Sequence, residues 1–237
     1  NRSRFTLVSL PAADFPVAQI STQGKKYQVS QPLLHEMIEH THFAMAQQDV
    51  RYYLNGLLFD LKGKTIRCVS TDGHRLALCE TQLSEAVENR KQIIMPRKGV
   101  LELQRLLEDG EGEIELEVGN NHLRVSRSDV TFSTKLIEGK FPDYEAVIPI
   151  GADKEIAINR EVFKNALHRA AILSNEKYRG VRLVLQNSVL KITANNPEQE
   201  EAEEELAVDY QGDSELEIGF NVNYLIDVFN VLKGENI

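Results

Sequence analysis

The 237 residues are 42% hydrophobic and 27% charged, enough apolar side chain for one large core or two ordinary ones and too much for a disordered chain. Lys and Arg number 27 against 36 Asp and Glu, a formal charge of −9; this argues against a protein that holds nucleic acid by net charge, while leaving room for a basic patch on an acidic body. No apolar run approaches membrane-spanning length, nothing resembles a signal peptide, and two cysteines, Cys68 and Cys79, make no disulfide framework, so a reducing cytoplasm is the default.

The chain opens with NRSRFTLVSL, a basic alternating strand in which Arg2 and Arg4 are interleaved with Phe5 and Leu7. After Phe15-Pro16, the run YQVSQPLLHEMIEHTHFAMAQ reads as a short strand and then a helix, with Ser30 as N-cap and Pro32 early in the first turn. His35, His40 and His42 share that helix with Glu36 and Glu39. Neither HExxH nor CxxC appears, so no metal site is expected. QQDVRYYLNG joins the helix to a strand; its Arg51, Tyr52 and Tyr53 suit either a sugar–phosphate backbone or a half-buried strand entry.

Alternating runs flank Asp72-Gly73 in KTIRCVSTDGHRLALCE, the pattern of a β-hairpin. The same stretch gathers Thr71, Asp72, His74, Arg75 and Cys79. Chemistry is one reading: Asp72 and His74 as an acid–base pair with Thr71 or Cys79 as nucleophile, hence a hydrolase. The strand–turn–helix context of a nucleophile elbow is missing, so a polar-tipped turn is the preferred reading. PRKGVLELQRLLEDG then reads as a second helix, apolar at Val100, Leu103, Leu106 and Leu107, with Arg97, Lys98 and Arg105 on its polar face and Gly110 ending it. GEIELEVGNNHLRVSRSDVTFSTKL follows as strands around a Gly119-Asn120-Asn121 turn.

From Phe141-Pro142 the order repeats. IAINREVFKNALHRAAILSN matches the first strand and helix: Val29 with Ile158, Ser30 with Asn159, Leu34 with Phe163, Ile38 with Leu167. FNVNYLIDVFNVLKGE matches the second helix, setting Leu225, Val228, Val231 and Leu232 against Val100, Leu103, Leu106 and Leu107, with Gly234 at its end. The unit is about 125 residues of strand, helix, strands, helix and strands, an α+β fold of two helices packed on antiparallel sheets. The division is 1–21, the tail of a first unit; 22–149, a complete central unit; and 150–237, a third unit lacking its last strands. Both ends fall inside a unit, as in a fragment of a three-unit chain. The third unit has TANNPEQEE where the central one has its turn, without His or Cys, so the turn's side chains belong to one unit and not to the fold. Glu198, Glu201 and Glu204 lie in an acidic edge strand. Pairing of that edge with the basic strand of another chain, head to tail, would close a ring, with Phe5 and Leu7 against Ile172 and Leu173.

The motifs DVRYYLNG, TDGHRLA, PRKGV, KFPDY, AILSNEK and ITANNPEQEEAEE closely resemble the beta subunit of bacterial DNA polymerase III, the sliding-clamp family, and the similarity covers the whole chain. The resemblance implies a non-enzymatic processivity factor without cofactor or metal. It implies three similar domains per chain and two chains closing around duplex DNA. It implies an apolar pocket that takes short peptides of the replicative polymerase, the clamp loader and repair proteins, at Leu54, Thr71, Gly73, His74, Arg75, Leu76, Pro142 and Val147. A family arginine after FPDY reads Ala146 here, and the family's C-terminal strand, the far lip of the pocket, lies beyond this sequence, so weaker peptide binding is expected. For DNA the resemblance points to Gln48, Arg51, Tyr52, Tyr53, Arg97, Lys98 and Arg105. For the dimer it points to Phe5 and Leu7 against Ile172 and Leu173, and to Arg2 and Arg4 against Glu198, Glu201 and Glu204. The chain by itself is expected not to close a ring. A monomeric peptide-binding module is the third reading.

Overall fold

The computed structural model describes residues 2–15, 24–128, 130–152, 154–210, 212 and 215–237. Pro16 of the first Phe-Pro pair and the unit boundary after residue 21 lie outside them. Strand β1 (Lys25–Ser30) runs into helix α1 (Gln31–Glu39), followed by long strands β2 (Gly56–Thr71) and β3 (Leu76–Pro96) and helix α2 (Arg97–Leu107). Strands β4 (Glu113–Val118), β5 (His122–Arg127) and β6 (Val130–Lys135) complete this part. Then come helix α3 (Arg160–Ile172), strands β7 (Gly180–Gln186), β8 (Val189–Asn195), β9 (Glu201–Ala207) and β10 (Leu216–Asn221), and helix α4 (Val222–Val231). The sheets run β1-β4-β5-β6, β2-β3 and β10-β7-β8-β9, antiparallel throughout. This is the expected α+β class.

Two large cores form. The first gathers Leu34 and Ile38 of α1, Leu57, Phe59 and Leu61 of β2, Val100 and Leu103 of α2, and Leu116 of β4. The second gathers Phe163 and Leu167 of α3, Leu183 and Ile192 of the sheet, and Ile226 and Phe229 of α4. Each such side chain contributes about 1.5–3 kcal/mol by leaving water. Helices α1 and α3 bury matching positions, Leu34 with Phe163 and Ile38 with Leu167, at i and i+4. The second helical pair matches one residue out of the expected register. Asn221 caps α4 through the Asn223 amide at 3.0 Å, and Val222, Ile226 and Phe229 face inward while Val228 is exposed. Phe229 meets Phe163 edge to face, centroids 4.9 Å apart.

The caps differ between units. Asn159 Oδ1 accepts the Val162 amide at 3.0 Å, but the Ser30 side chain makes no capping bond. The Gln31 amide already donates to Gly112 O at 2.8 Å and Pro32 has no N–H, so Ser30 has less to satisfy. Asn159→Ala should lower stability by about 1 kcal/mol and Ser30→Ala should leave it nearly unchanged, compared as urea midpoints at equal m.

The helix ends are also not closed by glycine as expected; the C-cap residues are Glu108 and Leu232. Instead, the first residue of each unit's first helix reaches the last turn of its second helix. Gln31 Nε2 donates to Leu107 O at 3.1 Å, and Arg160 Nη1 donates to Leu232 O. Gly110 makes room for the first of these contacts, since a Cβ there would overlap the Gln31 carboxamide.

Residues 2–10 form no strand, and Phe5, Leu7, Val8 and Leu10 are exposed. Alternation gives a segment a face to bury, but its backbone pairs only where a sheet edge receives it, and no edge among the described residues does. Ala157 and Asn159 make isolated bridges, to Asp209 and Asn236, where β1 pairs along its whole length, so the third unit's expected first strand is reduced to contacts. Strand β9 is an edge of its sheet, as expected, but it begins at Glu201, so Glu198 lies in the connection from β8 and not in the strand. Its Glu204 pairs with Arg169 Nε at 2.6 Å and its Glu203 with Lys191 at 2.7 Å.

Candidate binding pocket

Strand β2 carries two surfaces. Leu57, Phe59, Leu61, Ile66 and Cys68 face the main core, while Leu58 and Val69 face outward into a smaller cluster with Leu54, Ile94, Phe141 and Tyr144. Leu76 and Leu78 of β3 pack on this outer cluster, and Cys79 packs on the main core.

The hairpin turns through Asp72–Arg75, with Thr71 opposite Leu76. Polar groups of the turn fix its shape. Thr71 Oγ1 donates to Arg75 O at 2.6 Å and accepts the Gly73 amide at 3.0 Å. Asp72 Oδ1 accepts the amides of His74 at 2.9 Å and Arg75 at 3.1 Å. Gly73 sits at φ +90°, and a Cβ there would lie 2.9 Å from the Arg51 guanidinium. Arg51 Nη2 donates to Asp72 O at 3.1 Å and pairs with Asp49 at 2.8 Å. The hydrogen bonds from the Arg51 side chain and amide hold the Asp49 carboxyl down at about 2.

Facing the turn, the segment 142–149 lies across the outside of the sheet. Tyr144 anchors it: buried, with Oη donating to Asp60 Oδ2 at 2.8 Å. Asp60 is 2% exposed and also accepts from Arg90 at 2.5 Å and Gln92 at 3.0 Å. Burial alone would raise its carboxyl, but the hydrogen bonds from Arg90, Tyr144 and Gln92 outweigh it and the net shift is downward. Arg67 donates to Tyr144 Oη at 3.3 Å and pairs with Glu145 at 2.8 Å.

Between turn and segment lies a cavity of about 770 Å³. Leu54, Thr71, Gly73, His74, Arg75, Leu76, Pro142 and Val147 all line it. So do Leu78, Tyr144, Ile148, Pro149, Asp143 and Arg51, none of which the family resemblance places in the pocket. Leu78 follows from Leu76 by strand periodicity; Tyr144 is visible in KFPDY, but its anchoring role depends on Asp60, far away in the chain. An apolar wall with a few convergent polar groups suits a small ligand or peptide. A larger groove of about 1050 Å³ opens on the third unit, where Phe220, Val181 and Pro197 mix with Asn195, Asn196, Gln199, Glu200 and Glu201, and none of the eight expected pocket residues lines it.

The hydrolase arrangement does not assemble. Asp72 is occupied by two amides and by Arg75 Nε at 3.1 Å, and Cys79 is on the opposite face of β3, across from Cys68. Burial, then Glu36, pushes the Cys79 thiol up, away from the nucleophilic thiolate. No group of three or more His, Cys, Asp or Glu among the described residues is arranged to hold a metal ion.

Of the positions assigned to DNA, Gln48, Arg51, Tyr52 and Tyr53 lie in one loop, and the Arg97 amide at the start of α2 donates to Asn55 O at the end of that loop at 3.1 Å. Arg51 braces the turn and lines the pocket. Tyr52 is exposed; Tyr53 is half-buried against the outer cluster and meets Tyr52 edge to face at 5.8 Å. Gln48 adopts φ 56° in the loop before them. Arg97 and Lys98 start α2, and Arg105 pairs with Glu102 at 3.2 Å. Of the positions assigned to a dimer, Phe5, Leu7 and Ile172 are exposed and Leu173 is half-buried.

The family model described as DNA polymerase III beta subunit, central domain, matches residues 28–143, and the one for its C-terminal domain matches residues 145–237. The chain belongs to the DNA polymerase III beta subunit family. It is similar to the beta sliding clamps of Pseudomonas putida, 55% identical, and Escherichia coli K12, 50% identical, with all of the chain aligned. It spans 64% of the length of these relatives. Among solved structures, the beta subunit from Pseudomonas aeruginosa superposes with a TM-score of 0.93 at 53% identity, covering 100% of this chain and 65% of that one. Another structure of the Pseudomonas aeruginosa clamp, bound to griselimycin, also gives 0.93 at 53% identity, covering 100% of this chain and 64% of that one.

Proposed function

We propose that this chain is the pocket-bearing part of a DNA sliding clamp, a non-catalytic subunit that encircles duplex DNA and docks partner proteins through short apolar peptides. The observation that carries this is the outer-face pocket, in which all eight residues expected from the resemblance line one cavity. The griselimycin-bound clamp of Pseudomonas aeruginosa supports a ligand-binding role. The partners are duplex DNA, held topologically and without sequence preference, the replicative polymerase, the clamp loader and repair proteins. Gln48, Arg51, Tyr52, Tyr53, Arg97, Lys98 and Arg105 are the proposed DNA-facing set. A ring also reconciles the net charge of −9 with DNA: encirclement needs little affinity, and a basic lining on an acidic body allows sliding.

The proposed subunit contact sets Arg2, Arg4, Phe5 and Leu7 of one chain against Ile172, Leu173, Glu198 and the β9 edge with Glu201 and Glu204 of another. Exposure of Phe5, Leu7 and Ile172 supports it, as does the free edge of β9. The unit division 1–21, 22–149 and 150–237 belongs to the same proposal, and so does a cytoplasmic location. No helix among the described residues is long and apolar enough to cross a membrane.

Titration of the chain with griselimycin tests the pocket. Saturable binding is expected, weakened by about 1 kcal/mol in His74→Ala, the cost of one truncated contact. No binding, or binding indifferent to His74, contradicts the proposal. Retention of the ring-forming protein on closed circular DNA, lost when the circle is cut, tests encirclement; griselimycin binding without retention would favour a monomeric peptide-binding module.

A further inference from the structure

Arg75 stands at the junction of two bodies. From the central unit, Asp72 Oδ2 accepts its Nε at 3.1 Å and Phe43 O accepts its Nη2 at 2.8 Å. From the third unit, Asp227 of α4 accepts its Nη1 at 2.6 Å. The guanidinium also lies over the Tyr224 ring of α4, 4.4 Å from the centroid, and 5.5 Å from that of Phe43. One planar cation is thus held from below by the hairpin and α1's following loop, and from the side by α4. A second ion-pair contact crosses nearby, Lys233 with Glu36 and with Glu39 at 3.6 Å, but it is exposed and longer.

Arg75 is also a wall of the pocket, whereas Asp227 and Tyr224 are not among its lining residues. The same side chain therefore belongs to the ligand surface and to the joint. We propose that Arg75, held by Asp227 and Tyr224, is a positioning residue that couples occupation of the pocket to the seating of α4, and with it the third unit, on the central one. A ligand pressing on the guanidinium must either keep the α4 contacts or displace them. Conversely, a shift of α4 frees Arg75 to move in the pocket. Coupling of this kind is reciprocal: a ligand that prefers the seated arrangement tightens the joint, and weakening the joint weakens that ligand. Arginine is suited to this role because its fork addresses three acceptors while its flat face stacks on rings, which a lysine ammonium cannot reproduce.

The choice of ligand rests on the proposed function; the joint does not. The experiment is hydrogen–deuterium exchange on the whole chain with and without griselimycin, for the wild type, Asp227→Ala and Asp227→Glu. Griselimycin is expected to slow exchange of the α4 amides, although α4 does not line the cavity. Asp227→Ala should bind griselimycin about fivefold more weakly and lose that remote protection. Asp227→Glu, which keeps the carboxylate, should recover part of both. Unchanged affinity in Asp227→Ala, or α4 exchange indifferent to griselimycin in a wild type that binds it, overturns the coupling. If the wild type binds no griselimycin, the proposed function fails, and the ligand-free arm decides the joint. Asp227→Ala should then exchange faster both in α4 and in Asp72–Arg75, and equal rates in the two proteins overturn it.

Discussion

Arg90→Ala is expected to destabilise the chain by about 3 kcal/mol at neutral pH and to reverse its response to acid. In the wild type, Asp60 is buried under Tyr144 and paired with Arg90 at 2.5 Å. Its folded carboxyl is more acidic than the ordinary 3.8. The unfolded chain therefore takes up a proton first as pH falls, and this contribution, full above 3.8, is lost on going lower. Without Arg90, burial is opposed only by the hydrogen bonds from Tyr144 and Gln92, and the carboxyl is expected to rise above its ordinary value. The penalty of the uncompensated charge is then present at neutral pH and relieved as pH falls through the raised value. The expected cost sits at the low end for a broken buried pair because the Arg90 side chain itself reaches solvent. Urea midpoints of wild type and variant should thus differ most near pH 7 and converge toward pH 4. A gap that is constant across that range would show that Asp60 does not depend on Arg90.

The second large effect concerns the pocket. Leu76→Ala is expected to weaken griselimycin by about 2 kcal/mol, roughly 30-fold, and Leu76→Asp to remove measurable binding. Leu76 enters β3 directly opposite Thr71 and packs on the outer cluster, so it sits where turn and wall meet. A carboxylate there would lose its water whenever an apolar ligand covered it. Leu76 is only half-buried in the free chain, so the folded state should tolerate both changes. Calorimetric titration alongside thermal melts separates the two effects. Intact affinity in Leu76→Asp with an unchanged melt would place the ligand elsewhere.

What could be read from the residues follows the range of the interactions involved. The Asp-Gly hairpin, the helices α1 and α3 and the β4–β5 turn are encoded within a few residues, by periodicity and turn chemistry, and form, but α1 stops at Glu39, so His40 is its C-cap and His42 lies in a separate short turn rather than on the helix with His35. The helix α4 register differs by one because Val222, Ile226 and Phe229 are selected by what they pack against, and FNVNYLIDVFNVL offers apolar residues on more than one face. Ser30 is a good cap by type, yet Gly112 takes the Gln31 amide. The basic N-terminal stretch has the alternation of a strand, but its residues 2–10 pair with no strand among the described residues. The eight pocket positions come from resemblance; strand alternation alone reaches Leu76 and Leu78. The link from Arg75 to Asp227 spans 152 residues, and no local pattern selects that carboxylate from the others.

The two faces of β2 and β3 have a consequence for how such a protein changes over time. Leu57, Phe59, Leu61, Ile66 and Cys68 are committed to the main core, and the residues beside them in sequence serve the outer cluster. Substitutions at the rim, at His74 or Val147, leave the core untouched. Ligand preference is therefore free to drift while folding stays under separate selection. Variants escaping an apolar ligand should accumulate at these exposed positions and spare Leu58 and Tyr144, whose loss would cost the fold as well.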